Sequence, residues 1–132
     1  MSSDRHGPSA VRRQAAKEIL AVERSEPRPG WLVVTAVGEI DAVSVRLLQR
    51  ATWQEAAAVT VVDLSGVTLL GAAGLRALAQ AAWRARAEGG RLWLVVPPHP
   101  VSVALSMFWP GERVRGFATL ADALRADAGD PG

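Results

Sequence analysis

At 132 residues, the chain is long enough to bury one hydrophobic core and short for two domains. Hydrophobic residues make up 49% of it and charged residues 21%, and no apolar run approaches the ~20 residues of a membrane-spanning helix, so we expect a soluble protein without membrane insertion. The chain has no cysteine for disulfides or thiolate metal sites, and its N-terminus lacks the apolar core of a signal peptide. These features favour a cytoplasmic protein.

The charges of the chain give little support to a nucleic-acid partner. The 15 Lys and Arg residues are nearly balanced by 13 Asp and Glu residues, which leaves a net charge of +2. The basic residues are scattered from Arg5 to Arg125 with acids between them, whereas nucleic-acid binding is favoured by a clustered basic stripe or a stacking platform. We therefore expect no nucleic acid among the partners.

The composition of the chain changes after its first residues. Residues 1–16 contain Ser, Gly, Pro and three arginines and predict a flexible N-terminal arm or a short frayed helix. A single domain is then expected over residues 17–127, with a tail at residues 128–132. His6 and His99 stand alone, without the companion ligands of a metal site, so neither a metal nor another cofactor is predicted.

The first predicted elements are a hairpin followed by a buried strand. Two strand-like runs, residues 18–24 and 31–37, flank a turn rich in Pro and Gly. The apolar run at residues 59–64 is typical of a strand that is covered on both faces. Apolar residues at helical spacing follow the second and third strands, and the later of these two helices begins near Leu75 and ends before Gly89.

The C-terminal third continues this alternation. Its predicted elements are a strand at residues 91–96, a short helix formed by Val101, Leu105 and Phe108, a short strand at residues 114–117, and a helix capped by Thr119. The order β-β-α-β-α-β-α-(β)-α indicates an α/β fold with a mixed sheet that is covered by about four helices.

The five tryptophans are expected to contribute mainly to the core. Trp53, Trp83 and Trp93 lie on predicted elements and are interpreted as buried or partly buried packing residues. Trp31 and Trp109 are the candidates for exposure at an interface.

Catalytic motifs are missing from the sequence. It has no phosphate-binding loop, no Gly-x-Ser-x-Gly elbow and no paired histidines, and Gly66, Gly71 and Gly74 do not have the spacing of a dinucleotide motif. We expect a binding protein rather than an enzyme, with no catalytic residues.

Four short segments resemble, in order and spacing, the STAS domain of bacterial anti-sigma factor antagonists. They are GEID (residues 38–41), VDLSGVT (residues 62–68), AGLRAL (residues 73–78) and GGRL (residues 89–92). The likeness extends from about Glu18 to Leu124. It implies a STAS-like fold and a regulatory protein that binds an anti-sigma factor/serine kinase of the histidine-kinase-like ATPase fold and so releases a sigma factor for transcription, a mechanism known as partner switching.

The resemblance also implies a phosphorylation switch, and the chain departs from the family at that place. In such proteins a serine or threonine in the turn before the second helix accepts phosphate from the kinase and then loses affinity for it. Here the turn reads Gly71-Ala72-Ala73-Gly74, which puts Ala73 at the acceptor position and Gly71 in place of an acidic residue. Because alanine has no hydroxyl group, the usual switch is expected to be absent. The residues expected to contact the partner are Glu39, Asp41, Gly71, Ala72, Ala73, Gly74, Leu75 and Arg76.

The sequence is compatible with three alternatives. The domain is either an unswitched antagonist, or an interaction subunit of a transport or stress-sensing complex, or an antagonist that is phosphorylated on another hydroxyl, for which Ser65 and Thr68 are nearest. Asp41 is interpreted both as a helix cap and as a partner contact, and Asp63 as a structural carboxylate that accepts backbone N–H bonds. A homodimer through a sheet edge or an exposed tryptophan is also compatible with the sequence.

Overall fold

The computed structural model of the protein describes residues 12–16, 19–53, 57–97, 101 and 114–126. The strands are β1 (Arg12–Ala16), β2 (Leu20–Ser25), β3 (Trp31–Ile40), β4 (Val59–Leu70), β5 (Arg91–Val95) and β6 (Arg115–Phe117). The helices are α1 (Val45–Thr52), α2 (Ala72–Ala87) and α3 (Leu120–Arg125).

The six strands form one mixed sheet in the order β1-β2-β3-β4-β5-β6. The first two pairings, of β1 with β2 and of β2 with β3, are antiparallel, whereas β3, β4, β5 and β6 run parallel to one another. Helices α1 and α2 connect successive parallel strands, as such crossovers require. The predicted α/β class and mixed sheet are confirmed.

The N-terminal end of the sheet differs from the prediction. Residues 12–16, expected in an arm or a frayed helix, form strand β1 and pair with β2 from Arg12 opposite Arg24 to Ala16 opposite Leu20. Local composition misses this strand, because an edge strand is stabilised by hydrogen bonds to a neighbour that lies further along the chain.

Strands β3 and β4 are longer than predicted. The sequence suggests ends at residues 37 and 64, but β3 continues to Ile40 and β4 to Leu70. The two strands stay paired through two irregularities, between Thr35 and Val37 and between Gly38 and Glu39. A β-bulge accommodates an extra residue in one strand without ending the pairing of the two strands. Both strands therefore continue past the glycines at which the sequence suggests a turn.

Helices α1 and α2 cover one face of the sheet and α3 covers part of the other. The larger core lies beneath α1 and α2 and includes the fully buried Ile40, Leu48, Leu64 and Leu78. On the opposite face, Trp93 packs edge-on against Trp31 with ring centroids 5.6 Å apart, and Ala123 of α3 joins them.

Two helix boundaries that a single residue predicts, the end of α2 and the start of α3, are confirmed. Gly89 follows α2 with φ of +85°, a conformation that favours glycine, and the Gly90 N–H donates to the Ala85 carbonyl at 2.8 Å. At the start of α3, the Thr119 hydroxyl accepts the Asp122 N–H at 3.1 Å.

The tryptophans differ from the prediction at three positions. Trp53 and Trp83, expected to be buried or partly buried, are 69% and 66% exposed, whereas Trp31, a candidate for exposure at an interface, is buried like Trp93. Trp83 lies on the outward face of α2 and Trp53 at the C-cap of α1, and the inward faces of both helices are filled by small and aliphatic side chains. Trp109 is outside the described residues.

A third helix is predicted after β5, formed by Val101, Leu105 and Phe108. Of the predicted third helix, only Val101 is described; it is helical and 8% exposed, whereas Leu105 and Phe108 lie outside the described residues. Within the described part of the chain, no helix is long and apolar enough to cross a membrane.

Helix α2 approaches the sheet closely at Gly74. A Cβ atom at this residue would lie 2.6 Å from Leu70 Cδ1 and 2.7 Å from Ile40 Cγ2, closer than such carbon atoms normally approach. The contact therefore fixes how deeply the first turn of α2 sits against the ends of β3 and β4.

We expect Gly74→Ala to lower the free energy of unfolding by about 1 kcal/mol or more. Replacing glycine by alanine inside a helix stabilises it by about 1 kcal/mol. Forcing an extra carbon into a packed site costs about 1–3 kcal/mol, and here both Leu70 and Ile40 would have to move. Urea denaturation measures the difference. Gly71→Ala is the matched control, because its Cβ would meet no atom closer than Ile40 O at 3.5 Å, and equal stability of the two variants would contradict the close approach.

Candidate partner-binding site

Two turns meet at the carboxyl ends of the parallel strands β3 and β4. Ile40 and Leu70 are register partners at the ends of these strands, and the Gly71 N–H donates to the Ile40 carbonyl at 2.9 Å. The chain then leaves β3 through the turn at Asp41 and leaves β4 directly into α2. Most of the predicted partner-contacting residues therefore come together in space, although about 30 residues of sequence separate the two turns.

The Asp41 turn is held by a compact set of hydrogen bonds. Asp41 Oδ1 accepts the backbone N–H groups of Val43 at 2.9 Å and Ser44 at 2.8 Å. The buried Ser44 hydroxyl accepts the Asp41 N–H at 3.0 Å and donates to the Glu39 carbonyl at 2.8 Å. Asp41 thus caps the turn that leads into α1, as one of its two predicted roles requires.

These hydrogen bonds also affect the ionisation of Asp41. The Ser44 N–H, followed by the Ser44 hydroxyl and the Val43 N–H, favours the charged form and lowers the pKa of Asp41 below its ordinary value of 3.8. Burial acts in the opposite direction and does not overcome them. Asp41 therefore keeps its negative charge beside the start of α1 at neutral pH.

The predicted contact residues divide into exposed and buried groups. The exposed side chains are those of Glu39, Ala72 and Arg76, and the half-buried ones are Asp41 and Ala73. Leu75 is only 8% exposed and belongs to the core beneath α2, and Gly74 is also buried. These two residues position the turn, whereas Glu39, Ala72 and Arg76 are available to a partner.

Three exposed apolar side chains near the two turns are missing from the sequence prediction. Val37, Val43 and Leu69 are 53%, 62% and 45% exposed. Leu69 is the register partner of Glu39, and Val43 lies within the Asp41 turn. The extended course of β3 and β4 was needed to find them, because Leu69 and Val37 both appear to lie in buried apolar runs when the sequence is considered alone.

The two alternative hydroxyls both take part in hydrogen bonds. The Ser65 hydroxyl donates to Asp63 Oδ1 at 2.7 Å, and the same oxygen accepts the Ser65 N–H at 2.9 Å. Asp63 thus has the structural role predicted for it. The exposed Thr68 hydroxyl donates to the Gly38 carbonyl at 3.3 Å. Both hydroxyls lie on β4, before the turn into α2.

The comparison with known families decides the classification. The family model of the STAS domain matches residues 23–123. The chain belongs to the STAS-domain family. No curated protein matches this STAS domain significantly in sequence.

Solved structures of anti-sigma factor antagonists share the fold of this STAS domain. An antagonist from Mycobacterium paratuberculosis is 28% identical, with 84% of this chain and 96% of that chain covered and a TM-score of 0.64. The antagonist SpoIIAA in its unphosphorylated form is 17% identical, with 78% and 92% covered and a TM-score of 0.61.

The same fold occurs inside a membrane transporter. The murine anion transporter Slc26a9 is 18% identical, with 76% of this chain but only 18% of the transporter covered and a TM-score of 0.60. At this identity, the likeness is evidence of a shared fold only.

We expect the contribution of Asp41 to stability to depend on pH. Its lowered pKa means that the charged form stabilises the folded state at pH values above about 4, and that this contribution is lost as the pH falls through the folded-state pKa below 3.8. Thermal unfolding should therefore show wild type more stable than Asp41→Asn near neutral pH, with the difference closing under acid conditions. Glu39→Gln, which removes the same charge from an exposed side chain, is the control; a pH-independent difference for Asp41→Asn would contradict the hydrogen-bonded turn.

Proposed function

We propose that this STAS domain is a cytoplasmic anti-sigma factor antagonist that binds an anti-sigma factor/serine kinase with the histidine-kinase-like ATPase fold and is not switched by phosphorylation at residue 73. The observation that carries the proposal is the turn Gly71-Ala72-Ala73-Gly74, which stands beside the Asp41 turn at the carboxyl ends of β3 and β4. The fold, the family and the 28% identical antagonist support a protein-binding role rather than a catalytic one.

The proposed docking surface combines apolar area with oriented charge. Val37, Val43 and Leu69 supply exposed apolar side chains, and such residues give a protein interface most of its affinity once water is excluded. Glu39 and Asp41 supply carboxylates that can accept charge-assisted hydrogen bonds from arginines of the partner. Asp41 is held in place by its bonds to the turn, so little side-chain entropy is lost when it makes such a contact.

The alanine at residue 73 favours a permanently binding-competent domain. A phosphate would add a charge of about −1.5 to −2 and would change both the shape and the electrostatics of this surface. Ala73 cannot accept one, and its half-buried side chain packs against the main core. We propose that the partner therefore meets the same uncharged turn whether or not ATP is present.

A second candidate is an interaction subunit of a transport or stress-sensing assembly. It is favoured by the same loss of the acceptor hydroxyl, because a constitutive subunit needs no switch, and by the occurrence of the fold in a transporter. Affinity capture of the tagged chain from its native lysate separates the two candidates. A kinase-type ATPase among the captured proteins supports the antagonist, whereas transport subunits support the second candidate.

We expect Leu69→Asp and Val43→Asp each to weaken binding of the captured kinase by about tenfold or more, because each buries an unpaired charge in the proposed interface. Calorimetric titration with the purified kinase measures the change. Trp83→Ser, an exposed apolar substitution near the far end of α2, is the matched control and should bind as wild type does. Wild-type affinity of both aspartate variants would place the interface elsewhere.

Restoring the hydroxyl group tests the missing switch directly. We expect Ala73→Ser to accept phosphate from the same kinase and to lose affinity for it in the presence of ATP, and Ala73→Asp to bind weakly in all conditions. Intact-mass spectrometry and titration with and without ATP give the two readouts. Phosphate found on the wild-type chain, at Ser65, Thr68 or elsewhere, would contradict an unswitched antagonist.

A further inference from the structure

Strand β1 is an edge of the sheet, and its outer side pairs with no other strand among the described residues. The strand order places β1 next to β2 alone. An edge strand presents a row of backbone N–H and C=O groups that a further strand can bind. Strand β1 is five residues long, which is a usual length for a strand. The edge is therefore long enough to accept an added strand.

Two arginines are directly opposite each other at this edge. Arg12 of β1 and Arg24 of β2 are register partners in the antiparallel pairing. Register partners share one face of a sheet, and like charges in that arrangement destabilise the pair. A negative charge supplied to this position by another molecule would therefore be stabilising.

Arg24 lacks a hydrogen-bond acceptor that its environment requires. Its side chain is half-buried, and its Nε atom is buried without a hydrogen-bond partner in the described structure. A buried donor without an acceptor is costly, and the donors of arginine are most strongly satisfied by a carboxylate. The unpaired Nε therefore points to a carboxylate that the described residues do not supply.

The neighbours of Arg24 leave one side open for that carboxylate. On β3 its register partner is Val34, which is buried and apolar, so an acceptor cannot come from that side. Glu23 is on the opposite face of β2, because successive residues of a strand alternate between faces. Glu26 is in the exposed turn after β2 and does not bond to Arg24 Nε. The side toward β1 and the sheet edge remains.

We propose that β1 and Arg24 form a docking site, here called the edge site, for an extended segment of another protein that adds a strand to the sheet and brings an Asp or Glu carboxylate to Arg12 and Arg24. Main-chain hydrogen bonds to β1 would give affinity, and the side chains of the added strand would give specificity. The carboxylate would also fix the register of that strand, because only one alignment places it beside the arginine pair.

Other occupants of the edge fit the arginine pair less well. A second copy of this chain could dock edge to edge, but β1 and β6 contain no acidic residue and would bring no carboxylate to Arg24. Within the chain, Asp4 is a competing source, and it lies outside the described residues. The test below therefore includes an Asp4 variant.

The edge site is distinct from the docking surface around the Gly71 turn. Val34, the register partner of Arg24, precedes Ile40 by six residues, or about 20 Å along β3. Strand β2 also separates β1 from β3. The inference therefore does not depend on the identity of the partner at the Gly71 turn.

Selection of random ten-residue peptides on the immobilised full chain tests the proposal. We expect the enriched peptides to combine β-branched or aromatic residues with an Asp or Glu, and their affinity to fall as salt is raised. Arg24→Met removes the charge and the unpaired donor and keeps the length of the aliphatic side chain, and it should weaken binding by about tenfold or more. Arg46→Met, at an exposed arginine of α1, is the matched control and should bind as wild type does.

Two further measurements separate strand addition from a contact between charges and from a lost fold. Bound peptide should slow hydrogen exchange at alternate β1 amides, which are those whose N–H groups point away from β2. Arg24→Met should unfold at the wild-type temperature or above it, because the donor that it removes has no partner in the free chain.

Four results would overturn the proposal. They are the absence of enriched acidic peptides, equal peptide affinity of wild type and Arg24→Met, unchanged exchange of the β1 amides with peptide bound, and a lower unfolding temperature of Arg24→Met. A fifth would overturn it in favour of residues 1–11 as the occupant. In that case the β1 amides would be protected without peptide and would lose this protection in Asp4→Asn.

Discussion

The parallel pairing of β3 with β4 is the constraint on which the candidate site depends. These strands are register partners from Trp31 opposite Val59 to Ile40 opposite Leu70, and the Gly71 N–H continues the ladder by donating to the Ile40 carbonyl. Because parallel strands end on the same side of a sheet, this pairing sets the Asp41 turn beside the start of α2. Gly74 then lets the first turn of α2 lie against Ile40 and Leu70 without a side chain between them.

Much of the fold could be predicted because several elements have strong local signals. The Gly89 stop and the Thr119 cap depend on backbone conformation and hydrogen bonds within a few residues, and both were found where the sequence places them. Pairing between distant segments determines strand β1 and the C-terminal ends of β3 and β4. Polar composition therefore concealed β1, and the glycines predicted ends for β3 and β4 that are too early. The exposure of Trp53 and Trp83 was mispredicted for a similar reason, since tertiary packing decides which face of a helix is covered.

The candidate site was only partly accessible from the sequence. The family resemblance identified the turn with Ala73, and the fold brings that turn next to Asp41. Leu75 proved to be a core residue, and Val43 and Leu69 proved to be exposed, because solvent exposure at a strand end follows from the register and not from hydrophobicity. The role of Asp41 as a cap was predictable, whereas its double exchange of hydrogen bonds with the buried Ser44 was not.

The surface around the Gly71 turn combines exposed apolar side chains with the carboxylates of Glu39 and Asp41. An antagonist without a phosphorylation switch would then be regulated by which partners are present rather than by its own modification.

The most direct test of the central proposal is the affinity of the wild-type chain for its captured kinase in ATP and in ADP, with the intact mass of the chain recorded after each titration. A domain that presents Ala73 to the kinase should bind equally tightly in both nucleotides over long incubation and should gain no mass. Loss of affinity in ATP together with the added mass of a phosphate would contradict the proposal and would show that this STAS domain has kept a switch at another hydroxyl.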